Sequence, residues 1–291
     1  MQIQKSFDTQ NVEGTLYVVP TPIGNLEDIT YRALKTLRTV AVIAAEDTRN
    51  TKNLLRHFEI KTSLISYHEH NKNERNKQLL NRLKQGESIA IVSDAGMPAI
   101  SDPGFELVQA TIEANHSVVV LPGASAALCA LVGSGLPTTE FLFYGFLPRK
   151  KKQKEKELQR LKFLPATLLF YESPYRLKGT LNVLYHQFGN RQLAVARELT
   201  KKFEEYSRGT LEEVISWADK QELKGEFCLV VEGCNNEEEQ VEVLWWGHLS
   251  VKAHVEEYME SDNISSKEAI KKVATDRNIG KREVYKIYHI E

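Results

Sequence analysis

Short apolar runs alternate with amphipathic segments in the first half of the chain. The runs are rich in Val and Ile, as strands of a buried sheet are, and segments with helical spacing separate them. Because strands that alternate with helices form parallel sheets, the pattern predicts an α/β domain. The predicted strands are Leu16–Val19, Val40–Ala44, Ser63–Ile65, Ile89–Val92 and Val118–Leu121.

The alternation is interrupted at Pro137 and restarts with the run Phe141–Phe146, so we place a domain boundary there. Two of the later runs flank a predicted helix and favour antiparallel pairing, so the second domain is expected to contain a mixed sheet. Its predicted elements are the strands 167–171 and 193–196, the paired runs 202–208 and 226–232, and the helix 211–218.

A polar, acidic segment at 235–240 predicts a linker to a third part of the chain. Ser265 and Glu268 have the spacing of a capping box, and Gly280 is typical of a helix end. The fold class is therefore α/β with a helical addition. It comprises a parallel-sheet N-terminal domain (1–137), a mixed-sheet second α/β domain (138–234) and a small helical C-terminal unit (241–291).

Composition narrows the class of protein. The chain has 291 residues, enough for two domains, and a formal net charge of −1, so any nucleic-acid site must be a local patch. We expect no membrane partner, because the segment 1–14 lacks the apolar core of a signal peptide and no apolar run approaches eighteen residues. The three cysteines have no metal or disulfide spacing, which favours a cytoplasmic location.

Three loops follow predicted strands and consist of small residues and turn formers. They are residues 20–26, 93–104 and 122–127. Small residues let a ligand approach the backbone closely, and open α/β sheets bind ligands at the carboxyl ends of their strands. The loop 93–104 could also be a long turn in which Asp102 and Pro103 begin a helix. Taken together, the three loops predict one ligand crevice.

One segment is strongly basic. Residues 149–162 contain eight basic residues and two acidic ones. Such a run is either a solvated helix face or a site that binds RNA phosphates, and the basic C-terminal unit is likewise either a packed helical tail or an RNA-docking element.

Familiar nucleotide and metal motifs are missing from the sequence. Neither a Gly-x-Gly-x-x-Gly nor a P-loop motif occurs, which disfavours dinucleotide binding and P-loop phosphate chemistry. His68 and His70 share a strand face and could bind zinc, but no third ligand stands at a familiar spacing, so we expect no metal.

Seven segments, in this order, resemble the tetrapyrrole methylase superfamily. Within it, they are most similar to the branch that methylates a ribose 2′-hydroxyl of 16S ribosomal RNA. The segments are residues 17–26, 45–49, 66–71, 93–104, 121–125, 170–176 and 196–201.

The resemblance implies a two-domain tetrapyrrole-methylase-like fold that binds S-adenosyl-L-methionine between its domains. It also implies a homodimer that acts on a decoding-centre cytidine of 16S rRNA, within the small ribosomal subunit. The residues expected to contact the methyl donor are Pro20, Asp94, Ala95, Gly96, Ile100, Ser101, Gly123, Ala124 and Tyr171.

A ribose hydroxyl is a weak nucleophile, so a base or a cation near the acceptor is expected to assist the transfer. The matched segments offer Asp47 and Arg49 in the first domain and Glu198 and Lys201 in the second, with Glu46 and Arg197 beside them. Each has a structural alternative: Asp47 can cap the next helix, and Arg197 can pair with Glu198 between the domains. The residues expected to bind RNA are Arg149, Lys150, Lys151, Lys152, Lys271 and Lys272.

Two other functions remain open at this point. A tetrapyrrole C-methyltransferase would share the fold and the donor, although the basic segment favours RNA. A non-enzymatic ribosome assembly factor that binds the donor is the other alternative.

Overall fold

A computed structural model of the chain describes residues 3–4, 14–235, 246–247, 249–277 and 279–289. These residues form two compact units. The larger comprises residues up to 162 together with 166–233, and the smaller comprises 163–165 together with the residues from 234 onward. Most of the predicted linker and of the segment 1–14 lies outside the described residues, as does the beginning of the predicted C-terminal unit.

The first sheet of the larger unit is parallel throughout, as predicted, with the strand order β3-β2-β4-β1-β5. The central strands β2 and β4 are buried along their whole length, which explains their unbroken apolar sequences. All five predicted strands are confirmed, with ends that differ by at most two residues. The strands are β1 (Thr15–Val18), β2 (Val42–Ala45), β3 (Leu64–Ser66), β4 (Ile89–Val92) and β5 (Ser117–Val120).

The second sheet is mixed, which is also confirmed, with the order β6-β7-β10-β8-β9. Strands β6 and β7 are parallel and the other neighbours are antiparallel. The two runs that flank the helix 211–218 are predicted to pair with each other, but β9 and β10 each pair with β8 instead. The strands are β6 (Phe141–Phe146), β7 (Thr167–Glu172), β8 (Gln192–Arg197), β9 (Glu205–Thr210) and β10 (Phe227–Val231).

The helices of the larger unit connect and cover these strands. They are α1 (Tyr31–Thr39), α2 (Thr48–His57), α3 (Lys72–Lys84), α4 (Phe105–Glu113), α5 (Ala126–Ser134), α6 (Lys151–Leu161), α7 (Pro174–Phe188) and α8 (Leu211–Asp219). Helix α5 precedes the boundary proposed at Pro137, yet Ala130 and Leu131 share a core with Leu169 of the second sheet. The boundary itself stays a prediction.

One predicted helix start is wrong. Helix α4 begins at Phe105 after Gly104, and not at Asp102. Ala99 and Ser101 both have positive φ angles, so the chain turns again before the helix and the loop extends by two residues.

The smaller unit contains α9 (Val251–Ser261), α10 (Ser266–Asp276) and α11 (Lys281–His289), and Val255, Val273 and Val284 meet in its core. The capping box of Ser265 and Glu268 is confirmed. Gly280 does not end α10, which stops at Asp276, but directly precedes α11. Among the described residues, no helix combines the length and the apolar character needed to cross a bilayer.

Candidate functional site

A cavity of about 410 Å³ is lined on one side by the loop after β4 and on the other by the second sheet. We call it the sheet cavity. Its volume lies in the range of sites for small molecules and cofactors. The loop contributes residues 94–97 and 100–102, and the second sheet contributes the end of β7 and the start of β10.

The loop wall is shaped by its backbone. Gly96 has a φ of +76°, and its N–H and C=O groups bond to the backbone of Thr21 at 3.0 and 2.9 Å. The Thr21 hydroxyl also donates to the Ser93 carbonyl, at 3.2 Å. These bonds join the loop after β4 to the loop after β1, as predicted for a shared crevice. Gly123 of the third loop lies against Pro20, so all three loops meet.

The second wall is built from side chains on regular strands. Antiparallel pairing sets Phe227 opposite Glu172 and Cys228 opposite Tyr171. The Tyr171 ring makes edge contacts with Phe143 and Phe146, at centroid distances of 4.9 and 5.6 Å. Burial raises the pKa of Tyr171 to about 12, so its phenol stays neutral at physiological pH.

Two carboxyl groups, Asp94 and Asp102, line the loop side of the sheet cavity, and the charge of Glu46 acts on both. Asp94 accepts hydrogen bonds from the Asp47 backbone and the Asn50 amide, both at 3.1 Å. Burial raises the pKa of Asp102 to about 6, and the charges of Glu46 and Asp94 add to this effect. Burial also raises the pKa of Glu46. A site with this charge favours a cationic ligand.

A buried chain of polar groups holds the end of β7. Lys154 donates to the Thr180 hydroxyl at 2.8 Å, and that hydroxyl donates to the Glu172 carboxylate at 2.6 Å. Arg176 approaches the other oxygen of Glu172 at 3.4 Å. Burial lowers the pKa of Lys154. Lys154 therefore belongs to the interior, although it lies within the basic segment.

Six of the nine residues expected to contact the donor line the sheet cavity: Asp94, Ala95, Gly96, Ile100, Ser101 and Tyr171. Pro20, Gly123 and Ala124 are not part of the lining. A Cβ atom on Gly123 would stand 2.6 Å from the Pro20 ring, so these residues pack tightly together beside the cavity. The role of all nine in donor binding stays a prediction.

The four expected catalytic residues form two ion-paired groups. Asp47 is the N-cap of α2, and its carboxylate holds Arg49 at 2.7 Å, which lowers the pKa of Asp47 to about 2. Lys201 contacts Glu198 at 2.9 Å and Glu226 at 3.0 Å. Of these residues, only Glu226 lines the sheet cavity.

The structural alternative for Arg197 is an ion pair with Glu198, but the two side chains have different partners. Arg197 lies 3.6 Å from Glu205 and donates to the backbone of Lys224. The strand pairing of β8 with β9 sets Arg197 directly opposite Glu205, which explains the choice of partner.

The expected RNA-binding residues are all on the surface. Arg149 and Lys150 precede α6, and Lys151 and Lys152 form its first turn. Lys271 is exposed on α10, whereas the ammonium of Lys272 lies 2.7 Å from Asp262.

His68 and His70 do not share a strand face, because β3 ends at Ser66 and a turn follows it. His68 lies 3.2 Å from the amide of Asn71. Within the described ranges, no three His, Cys, Asp or Glu side chains are grouped so as to hold a metal ion.

Sequence reasoning missed part of the second wall. Residues 225–228 line the sheet cavity, together with Ile23 and Phe146. Residues 225–228 are more than fifty positions from Tyr171 and reach it only through strand pairing, so no local pattern marks them.

Comparisons with known proteins agree with this fold. The profile of the family described as Tetrapyrrole (Corrin/Porphyrin) Methylases matches residues 15–215. The chain therefore belongs to the tetrapyrrole methylase family, and the resemblance inferred from the seven segments is confirmed.

The relatives that match this chain over its full length have a more specific name. Proteins named "Ribosomal RNA small subunit methyltransferase I" are 55% identical in Halalkalibacterium halodurans, over 100% of both chains, and 56% identical in Bacillus subtilis, over 99% of this chain and 98% of the relative. Among solved structures, a uroporphyrin-III C-methyl transferase from Thermus thermophilus, complexed with S-adenyl homocysteine, matches with a TM-score of 0.52 at 18% identity. It covers 75% of this chain and 97% of its own, and shows the shared fold.

Proposed function

We propose that this protein transfers a methyl group from S-adenosyl-L-methionine to 16S ribosomal RNA of the small subunit. The acceptor is the 2′-hydroxyl of a cytidine in the decoding centre. The observation that carries the proposal is the 55% identity, over the full length of both chains, with a relative named for methylating small-subunit RNA.

The sheet cavity suits the methyl donor. When bound, S-adenosyl-L-methionine supplies an electrophilic methyl group on a cationic sulfur. Asp94, Asp102 and Glu226 give the cavity negative charge, while Tyr171 and Ile100 give it apolar surface for the uncharged parts of such a ligand. The backbone bridge of Gly96 and Thr21 holds the loop wall in place, so donor binding needs little reordering of this loop.

The two ion-paired groups differ in what they offer the acceptor. Asp47 is a weak base, because Arg49 holds its pKa at about 2. Lys201 is better placed to assist. Burial lowers the pKa of Lys201, but its bonds to Glu198 and Glu226 outweigh burial and raise it, so the ammonium stays charged. A fixed cation of this kind stabilises negative charge that develops on an attacking oxygen.

RNA binding is assigned to two exposed basic surfaces. The first comprises Arg149, Lys150, Lys151 and Lys152 at the start of α6, and the second comprises Lys271 on α10, with Lys272 partly neutralised by Asp262. Lysine and arginine side chains on a nearly neutral chain bind phosphates locally, without attracting nucleic acid over the whole surface. The proposal includes a cytoplasmic homodimer that needs no metal.

The test is a transfer assay with small ribosomal subunits that lack the modification. Labelled S-adenosyl-L-methionine and the protein should add one methyl group per subunit, and nuclease digestion with mass spectrometry should place it on the ribose of a cytidine. Alkaline hydrolysis should fail at that linkage, because the methylated hydroxyl can no longer attack the phosphate. A methyl group on a base, or on an added tetrapyrrole, contradicts the proposal, and donor binding without transfer would indicate an assembly factor.

A further inference from the structure

A second cavity, of about 500 Å³, adjoins the sheet cavity. We call it the α2 cavity, because one of its walls is α2. Thr21 lines the α2 cavity and Gly96 lines the sheet cavity, and the two residues are bonded to each other through their backbones. Asp94 lines both. The two cavities therefore share a wall that contains this backbone bridge and the Asp94 carboxylate.

The wall formed by α2 is the polar face of that helix. Asn50, Asn53, Leu54 and His57 follow the spacing i, i+3, i+4 and i+7, so they lie on one stripe of the helix, and all four line the cavity. The opposite side of the helix faces the core, through Thr51 and Leu55. Three of the four members of the stripe are polar and exposed, so they can offer hydrogen-bonding groups to a ligand in the cavity.

The chemistry of this wall fits a nucleotide. The amides of Asn50 and Asn53 offer donors and acceptors of the kind that pair with the edges of a base. Arg56 also lines the cavity and donates to the Asn53 side chain at 3.2 Å, and a guanidinium group binds phosphate well. Leu26 on the opposite loop and Leu54 supply apolar surface for the face of a base.

Lys201 connects the α2 cavity to the sheet cavity. Its side chain lies against Gly24, which lines the α2 cavity, and its ammonium bonds to Glu226, which lines the sheet cavity. Because Glu198 and Glu226 already neutralise Lys201, the charge that favours an anionic ligand in the α2 cavity is that of Arg56, which lines it.

We propose that the α2 cavity receives the acceptor nucleotide of the RNA, with Arg56 binding its phosphate and Asn53 binding the edge of its base. This inference rests on the proposed function and adds the place where the substrate enters. It assigns recognition of the acceptor nucleotide to α2. From the sequence alone, the candidate residues at this helix are only Asp47, which caps it, and its neighbour Arg49.

The test compares substitutions on two sides of one helix. Arg56→Ala combined with Asn53→Ala removes the proposed contacts, and Lys52→Ala removes an equal charge from an exposed position of α2 outside the cavity lining. The probes are small ribosomal subunits that lack the modification and, separately, S-adenosyl-L-methionine. We expect the double variant to bind the subunits about tenfold more weakly, the effect of losing a hydrogen bond to a charged group, with unchanged donor affinity. Lys52→Ala should change neither affinity more than about twofold.

The outcomes separate the inference from the proposed function. Methyl transfer by the unsubstituted protein, with unchanged subunit affinity and KM in the double variant, overturns the inference alone. Equal weakening by Lys52→Ala also overturns it, because general charge would then explain the effect. Failure of the unsubstituted protein to methylate the subunits overturns the proposed function and the inference together. Thermal unfolding of each variant checks that the fold is intact.

Discussion

The two walls of the sheet cavity are built in opposite ways. The loop wall depends on backbone conformation, with positive φ angles at Gly96, Ala99 and Ser101 and a backbone bridge to Thr21. The second wall depends on side chains that project from regular strands, among them Tyr171 and Phe227. Loops shaped in this way fit a ligand through main-chain groups, whereas strands place side chains at positions set by register.

The difference predicts whether a substitution in each wall lowers ligand binding or stability. A side chain added to the loop wall occupies ligand space or strains the backbone, so it should affect binding more than stability. A side chain removed from the second wall breaks a buried network and should affect stability first. Substitutions in each wall, with binding and stability measured separately, therefore test this difference.

The largest effect is expected from Glu172→Ala in the second wall. Glu172 is 3% exposed, and its removal leaves the Thr180 hydroxyl without its acceptor and Arg176 without its ion-pair partner, and it takes away the carboxylate that Lys154 reaches through Thr180. Breaking a buried ion pair by removing one partner costs about 3–5 kcal/mol, so the free energy of unfolding in urea should fall by that amount.

A surface pair provides the control for Glu172. Glu222 and Lys224 are 2.8 Å apart, with side chains that are 79% and 70% exposed. Glu222→Ala should lower the free energy of unfolding far less than Glu172→Ala does, because solvent screens an exposed pair. Similar losses for the two variants would show that the buried chain does not stabilise the second wall.

The same contrast explains how much of the site the sequence predicts. The loop wall is encoded locally, so the turn formers of residues 93–104 are enough to mark it in the sequence. The second wall combines residues of β7 and β10 that meet only through long-range pairing. Phe227 and Glu226 therefore have no local signal, although the strand that contains Phe227 is predicted.

Lys154 shows how a charge count can mislead. Composition alone treats the basic segment as one surface, but Lys154, Leu158 and Leu161 are spaced i, i+4 and i+7 and share the buried face of α6. Helical periodicity can separate Lys154 from its exposed neighbours. The partner that makes its burial tolerable, Glu172 through Thr180, lies on other elements and cannot be identified from spacing.

The second prediction concerns Gly96→Val in the loop wall. A Cβ atom there would stand 3.3 Å from Ile23, on a residue that lines the sheet cavity, so a branched side chain should crowd the donor. Overpacking costs about 1–3 kcal/mol, so calorimetry should show a loss of donor affinity of up to about 100-fold.

Gly135 is a matched control for backbone strain. Its φ of +79° is close to that of Gly96, and a Cβ atom there meets no atom of the described residues within 4 Å. Gly135→Val should lose stability as Gly96→Val does, and keep its affinity for the donor. If both variants bind the donor as the unsubstituted protein does, the loop wall is not the donor site.

The smallest effect is expected from Asp102→Asn, which tests whether a side chain also matters in the loop wall. Burial raises the pKa of Asp102 from 3.8 to about 6, so the folded protein binds a proton more tightly than the unfolded chain does. The stabilisation from this proton is complete below about pH 4 and is lost as the pH rises through 6. With allowance for screening by solvent, the Asn variant should therefore be about 1–2 kcal/mol more stable than the unsubstituted protein at pH 7, with a difference that disappears towards pH 4.

Asp47→Asn should show the opposite sign, because Arg49 lowers the pKa of Asp47 to about 2. The stabilising effect of the Asp47 charge is therefore present at pH 7 and is lost as the pH falls towards 2. Urea unfolding without donor at several pH values measures both variants, and parallel curves for Asp102→Asn and the unsubstituted protein would show that the loop wall acts through its backbone alone.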